Sequence, residues 1–164
     1  MTAEPLPEAG FEQRRVQKNM PAAMPVYEEG WRLLAVDLSA VPGISGGVLC
    51  TLISELGTSE HIREKFRSAE SFASWLGLCP DNRISGGRVL KARTRKVANR
   101  IANILRMAAN ALSRAKGPMG DYVRRFKGRL GKAEGIVAGA HKLARILWAM
   151  IVSGEAYDER KPSS

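Results

Sequence analysis

Between Arg95 and Val152 the apolar residues recur at helical spacing in three successive segments, and this periodicity restricts the fold more than any other feature of the chain. In the first, from about Arg95 to Ala115, Val97, Ile101, Ile104, Leu105, Ala108 and Leu112 form one stripe, while Arg100, Asn103, Arg106 and Arg114 lie off it. Gly117-Pro118 interrupts the pattern. The second segment places Met119, Tyr122, Val123, Phe126 and Leu130 inside and Arg124, Arg125, Lys127 and Arg129 outside. After Gly131 the third segment, Lys132 to Val152, buries Ile136, Val137, Ala140, Leu143, Ala144, Leu147, Trp148 and Ile151, and Gly154 stops it. Three amphipathic helices of this length predict an all-α protein.

The first half of the chain fits the same class. Pro5, Pro7, Pro21 and Pro25 break residues 1–30 into a linker or tail, with a short helix near Glu8–Lys18. Packing is expected to begin near Trp31, with Leu33, Leu34, Val36 and Leu38, so the domain runs over 31–158 and 159–164 is a tail. In Val41–Gly57 a Pro42-Gly43 turn precedes Val48, Leu49, Leu52, Ile53 and Leu56 at helical spacing. A short helix, an apolar-Pro-Gly-Ile turn and a second helix make a helix-hairpin-helix, whose turn at Gly43, Ser45 and Gly46 would offer backbone N–H groups to a phosphate. Ser45 stands where that motif usually has glycine, and an ordinary corner between two helices is the competing reading. A helical piece within Thr58–Phe66 and a helix opened by Ser68–Ser71, with Phe72, Trp75 and Leu76 buried, complete this half. Only Arg83–Leu90 suits extended structure, as a small hairpin around Gly86-Gly87.

Charge separates the functional classes. The formal net charge is +10 and the pI about 10.1. From Asn82 to Gly120 there is Lys and Arg but no Asp or Glu. A surface that is merely soluble mixes the signs, so this segregation points to a polyanion. No apolar run approaches the roughly 20 residues of a membrane span, and no secretory leader is visible, which predicts a cytoplasmic, nucleoid-associated protein. Cys50 and Cys79 lie far apart in apolar surroundings as expected buried thiols, and no histidine cluster suggests a metal site. His61 is expected to be exposed, His141 to be packed at a stripe's edge, and Trp31, Trp75 and Trp148 to belong to the core.

The charge is densest in PDNRISGGRVLKARTRKVANR, Pro80 to Arg100, which carries Arg83, Arg88, Lys91, Arg93, Arg95, Lys96 and Arg100. Arg93, Arg95 and Lys96 stand at the start of the long helix, where the macrodipole disfavours cations by roughly 0.3–1 kcal/mol each. Folding gives no reason for that placement, whereas a bound phosphate does. Ser85 precedes Gly86 and Gly87, two residues that allow backbone to approach a ligand closely. A serine hydroxyl among guanidiniums suits attack on a phosphodiester, although ISGG occurs twice, at Ile44–Gly47 and Ile84–Gly87, and most such tetrapeptides are only turns. The run Arg124–Arg129 is open between a solvated face and a phosphate contact.

LLAVDLSAVPGI, FASWLGLCPDNRISGGRVL, RTRKVANR, LRMAANAL, GDYVRRFKGRLG and AHKLARILWAM, in this order, resemble the C-terminal transposase domain of the insertion sequence 110 family, the bridge-RNA-guided DNA recombinases. The resemblance covers about Leu33 to Asp158. It implies a serine that bonds covalently to DNA phosphate, which falls on Ser85, and partners that include DNA, a guide RNA and further copies of the protein in the full-length form. It also implies a RuvC-like domain N-terminal to this one, whose four acidic residues hold magnesium. Glu4, Glu8 and Glu12 do not replace that set, so no cofactor is expected within this chain, and its isolated form is expected to lack the metal-binding half. A nucleic-acid-binding remnant without strand cleavage, or a basic interaction module, are the alternatives.

Overall fold

The computed structural model describes residues 26–78, the paired segments 84–85 and 88–89, and residues 96–159. Within these the protein is helical, with one very small strand pair. Helix α1 spans Val26–Leu34, five residues of which fall in the stretch expected to be linker. Glu28 and Glu29 in its first turn and Arg32 in its last suit the helix dipole. After a three-residue 3-10 turn, Leu38–Ala40, helix α2 runs over Gly46–Leu56, α3 over Ser59–Lys65 and α4 over Ala69–Trp75. Strands β1 (Ile84–Ser85) and β2 (Arg88–Val89) pair antiparallel. The long helices follow: α5 at Lys96–Leu112, α6 at Pro118–Leu130 and α7 at Lys132–Ser153.

Local side chains set most of the early helix starts. Ser45, Thr58 and Ser68 each accept a backbone N–H three residues on, from Val48, His61 and Ser71, and Ser71 closes a capping box with Ser68. Each such cap contributes about 1 kcal/mol. Helix α6 starts instead on proline, whose fixed φ and missing N–H suit the first helical position.

Helix α7 is the element around which the others assemble, packing against α3, α4, α5 and α6. It is long and apolar enough by length and composition to cross a membrane, the only such helix among the described residues. Its Ala140, Leu143, Ala144, Leu147 and Ile151 are instead buried inside the protein, which is where its apolar character is used. Facing them are Ile101, Leu105, Ala108 and Ala109 of α5, with Leu34, Leu38, Leu49, Leu52, Ile62 and Phe72 extending the same core. Phe66, Phe72 and Trp75 form an aromatic group beside it, and the Trp148 indole donates to the Phe66 carbonyl at 3.3 Å.

Two corrections to the sequence reading concern the apolar stripes. Leu130, expected inside, is 43% exposed at the last residue of α6. Met107, which the apolar stripe of α5 does not include, is 71% exposed on the outer side of that helix. Trp75 and Trp148 pack at the edge of the core rather than within it.

The corner between α5 and α6 depends on glycine. A Cβ at Gly120 would stand 2.1 Å from the Ala115 carbonyl oxygen and 2.9 Å from that of Leu112. Backbone occupies the space a side chain would need, so only glycine fits.

Candidate nucleic-acid interface

The serine segment is positioned between α4 and α5. Its backbone register opposes Ser85 to Arg88 and Ile84 to Val89. Opposed residues of an antiparallel pair have Cα atoms about 4.5–5.5 Å apart, so the hydroxyl-bearing residue and a guanidinium-bearing one share one short ladder. Gly86 and Gly87, which join the strands, and Arg83, Lys91, Arg93 and Arg95 lie outside the described residues, as does Cys79. Lys96 is the first residue of α5.

Arg100 lies one turn into that helix and is paired. Its guanidinium meets the Glu55 carboxylate of α2 at 2.7 Å, with the arginine side chain 63% exposed and the glutamate 17%. The local sequence shows no counter-charge for Arg100; the fold supplies one from 45 positions away. The pair spans an open groove between α2 and α5, which Cys50, Ser54 and Asn103 also line. Cys50 is half-buried there.

The turn that leads into α2 is held against the other end of α5. Gly43 has φ +88°, a conformation that L side chains rarely adopt, and a Cβ there would stand 3.0 Å from Leu112 Cγ. The Ile44 N–H donates to the Val41 carbonyl at 3.1 Å, closing the turn. Ser45 is occupied as the cap of α2, receiving the Val48 N–H at 3.4 Å. Gly46 is buried, while Gly47, beside it in the first turn, is exposed. Gly43 thus sits against Leu112, the last residue of α5, whereas the serine segment precedes Lys96, its first residue, in the sequence.

The exposed side of α5 carries Arg100, Asn103, Met107 and Ala111, Arg114 is exposed just past its end, and the helix contains no carboxylate. Beyond it, Arg124 has a structural task that its place in a basic run does not reveal. Its guanidinium donates to the carbonyls of Ser113 (3.1 Å) and Ala115 (2.6 Å), two groups that the end of α5 leaves without helical partners, and it pairs with Asp121. Lys127 reaches the Ser113 hydroxyl at 3.3 Å. Arg145 pairs with Glu70 at 2.8 Å, and Arg63 donates to the Ile151 carbonyl near the end of α7. His61 is exposed, and His141 is half-buried, its pKa lowered by burial and by the positive charge of Arg145. Among the described residues no group of three or more His, Cys, Asp or Glu gathers in a way that would hold a metal ion.

Comparison with known proteins fits this arrangement. Residues 36–124, just over half of the chain, match the model of the transposase IS116/IS110/IS902 family. The chain belongs to that family. A protein of Sinorhizobium fredii (strain NBRC 101917 / NGR234) with the name "Putative transposase y4pF/y4sB" is 32% identical over 102 residues, which cover 56% of this chain and 25% of that relative. The chain therefore spans about a quarter of that relative's length. No solved structure matches.

Proposed function

We propose that this chain is the DNA-binding, serine-bearing domain of a transposase that cuts and rejoins DNA through a serine–phosphodiester intermediate. The observation that carries the reading is the family match, which runs through the strand pair that opposes Ser85 to Arg88. In the proposed step the Ser85 oxygen attacks phosphorus, a serine–phosphate bond forms, and the P–O bond to the departing strand breaks. The serine proton passes to a base or to solvent, and the departing strand's oxygen takes one up as a hydroxyl. Arg88, with Arg83, Lys91, Arg93, Arg95 and Lys96, would offset charge that builds on the phosphoryl oxygens and hold neighbouring phosphates. The Gly43–Gly46 turn would bind a further phosphate through its backbone.

Because the described residues hold no carboxylate cluster, no step is assigned to a metal held by them. Magnesium would belong to a separate acidic domain, and guide RNA and additional copies of the protein would join the complete assembly in the nucleoid. A second reading for the chain by itself is that it binds nucleic acid and does not cleave it.

The two readings separate when the chain is mixed with a full-length relative mutated at its own serine, guide RNA, and donor and target DNA. A covalent protein–DNA adduct that disappears in Ser85→Ala supports the first, and its absence under every condition leaves the second. For either, log affinity for duplex DNA should fall steeply with log salt, by about 0.9 per phosphate neutralised. A flat response would contradict both.

A further inference from the structure

The geometry points to a second nucleic-acid contact on the face shared by α6 and α7, built for an unpaired strand rather than a duplex. Tyr122 and Phe126 stand one turn apart on α6 with ring centroids 4.6 Å apart, and both are only half-buried. The Arg125 guanidinium lies 5.8 Å from the first ring centroid and 5.5 Å from the second. From α7 the Lys142 ammonium sits 4.1 Å from the Tyr122 centroid.

Four described arginines (Arg32, Arg100, Arg124 and Arg145) have carboxylate partners, but Arg125 and Lys142 are in no ion pair with a described carboxylate. They stand against one ring with like charge. Burial lowers the Lys142 pKa, and the nearby Arg125 charge lowers it further. Arg145, whose charge also reaches Tyr122, has a buried Nε with no hydrogen-bond partner. An anion beside these groups would relieve the repulsion that the fold leaves in place.

Duplex DNA would satisfy the charge and leave the rings unused, because its bases are stacked on each other. A strand with free bases uses both: phosphates on the cations, a base on the aromatic pair. Basic side chains interleaved with partly exposed rings are the usual composition of a single-strand site, where stacking on an aromatic tolerates any base. An adjoining cavity of about 390 Å³ also borders Lys142 and Arg145, but Glu155, Asp158 and Glu159 line it as well, a mixed-charge lining less suited to a phosphate chain than the α6 side. The strand is therefore assigned to the α6 side. The assignment does not depend on Ser85.

The test uses the intact chain, fluorescence anisotropy and three probes of about 20 nucleotides: oligo-dT, oligo-U and a mixed-sequence duplex. Arg125→Gln and Lys142→Gln change charge at partly exposed positions; Phe126→Leu keeps an apolar side chain and removes the ring. Each should weaken binding of an unpaired strand by roughly tenfold and duplex binding by less than about threefold. Loss on oligo-dT and oligo-U alike supports a contact to phosphate and base, and loss on one alone supports it and names the strand. Equal loss on duplex and single strand, or no loss on any probe, overturns it. A Lys96→Gln control keeps this outcome distinct from that of the serine segment, since it should affect the duplex and spare oligo-dT and oligo-U. Thermal melting by circular dichroism confirms that each variant is folded.

Discussion

The seam between α2 and α5 and the face shared by α6 and α7 both carry basic side chains, but they manage the charge in opposite ways. On the seam, Arg100 is exposed yet matched by Glu55 beneath it. On the face, Arg125 and Lys142 crowd the Tyr122 ring and are in no ion pair with a described carboxylate. The contrast recurs within one turn of α6, where Arg124 closes the end of α5 and Arg125 beside it does not. A net charge of +10 is therefore a poor measure of the charge available to a partner. Part of it is used by the fold, and only the structure shows which part.

The comparison can be broken at its foundation by Gly120→Ala. The new methyl would meet backbone at 2.1 Å, which cannot give way as a flexible side chain would. A loss of roughly 3 kcal/mol in chemical denaturation is expected, at the upper end of ordinary overpacking. A neutral result would mean that the α5–α6 corner is looser than described. Next in size is the pair of neighbouring arginines. Arg124→Gln should cost about 1 kcal/mol by removing charged hydrogen bonds to two carbonyls, reduced from their buried worth by partial exposure, and leave single-strand binding intact. Arg125→Gln should change stability by less than about 0.5 kcal/mol and reduce that binding. If the two variants behave alike, the distinction between used and available cations does not hold.

Glu55→Gln sharpens the same distinction on the seam. It frees Arg100 and removes a negative charge, so duplex affinity should rise severalfold and the salt slope steepen by up to about 0.9. Stability should fall by no more than about 1 kcal/mol, as for other exposed pairs. An unchanged slope would place Arg100 off the path of the DNA. The smallest effect concerns His141. Burial, then the Arg145 charge, lowers its pKa in the folded state below the usual 6.5. The unfolded chain therefore binds the proton more readily, and stability should be full above pH 6.5 and decline as pH falls through the lowered value. His141→Gln should flatten that part of the profile; an unaltered slope would assign it to another group.

The sequence carries much of this architecture but little of its charge pairing. Helices α5, α6 and α7 are legible because stripes such as Ile101, Leu105, Ala108 and Leu112 repeat at the helical period, and because Gly117-Pro118 and Gly131 punctuate them. The Ser68–Ser71 start of α4 is legible for a similarly local reason. Helix α1 is obscured by the prolines before it, and Leu130 follows the apolar stripe of α6 although it is exposed at that helix's last residue. Glu55 and Arg100 are far apart in sequence, and nothing local announces their pairing. Tyr122 and Phe126 follow the stripe, so they resemble core until Arg125 and Lys142 are placed beside them. Of the serine segment, the pattern suggested a hairpin, and the described backbone places Ser85 opposite Arg88.

The central claim is that Ser85 supplies the oxygen that bonds to DNA. The most direct measurement is mass spectrometry of the covalent adduct trapped in the reconstituted reaction, after nuclease and protease digestion. The account predicts a nucleotide phosphate on the peptide that contains Ser85, and no adduct at all from the Ser85→Ala chain. A phosphate linked to another residue, or an adduct that persists in Ser85→Ala, would contradict it.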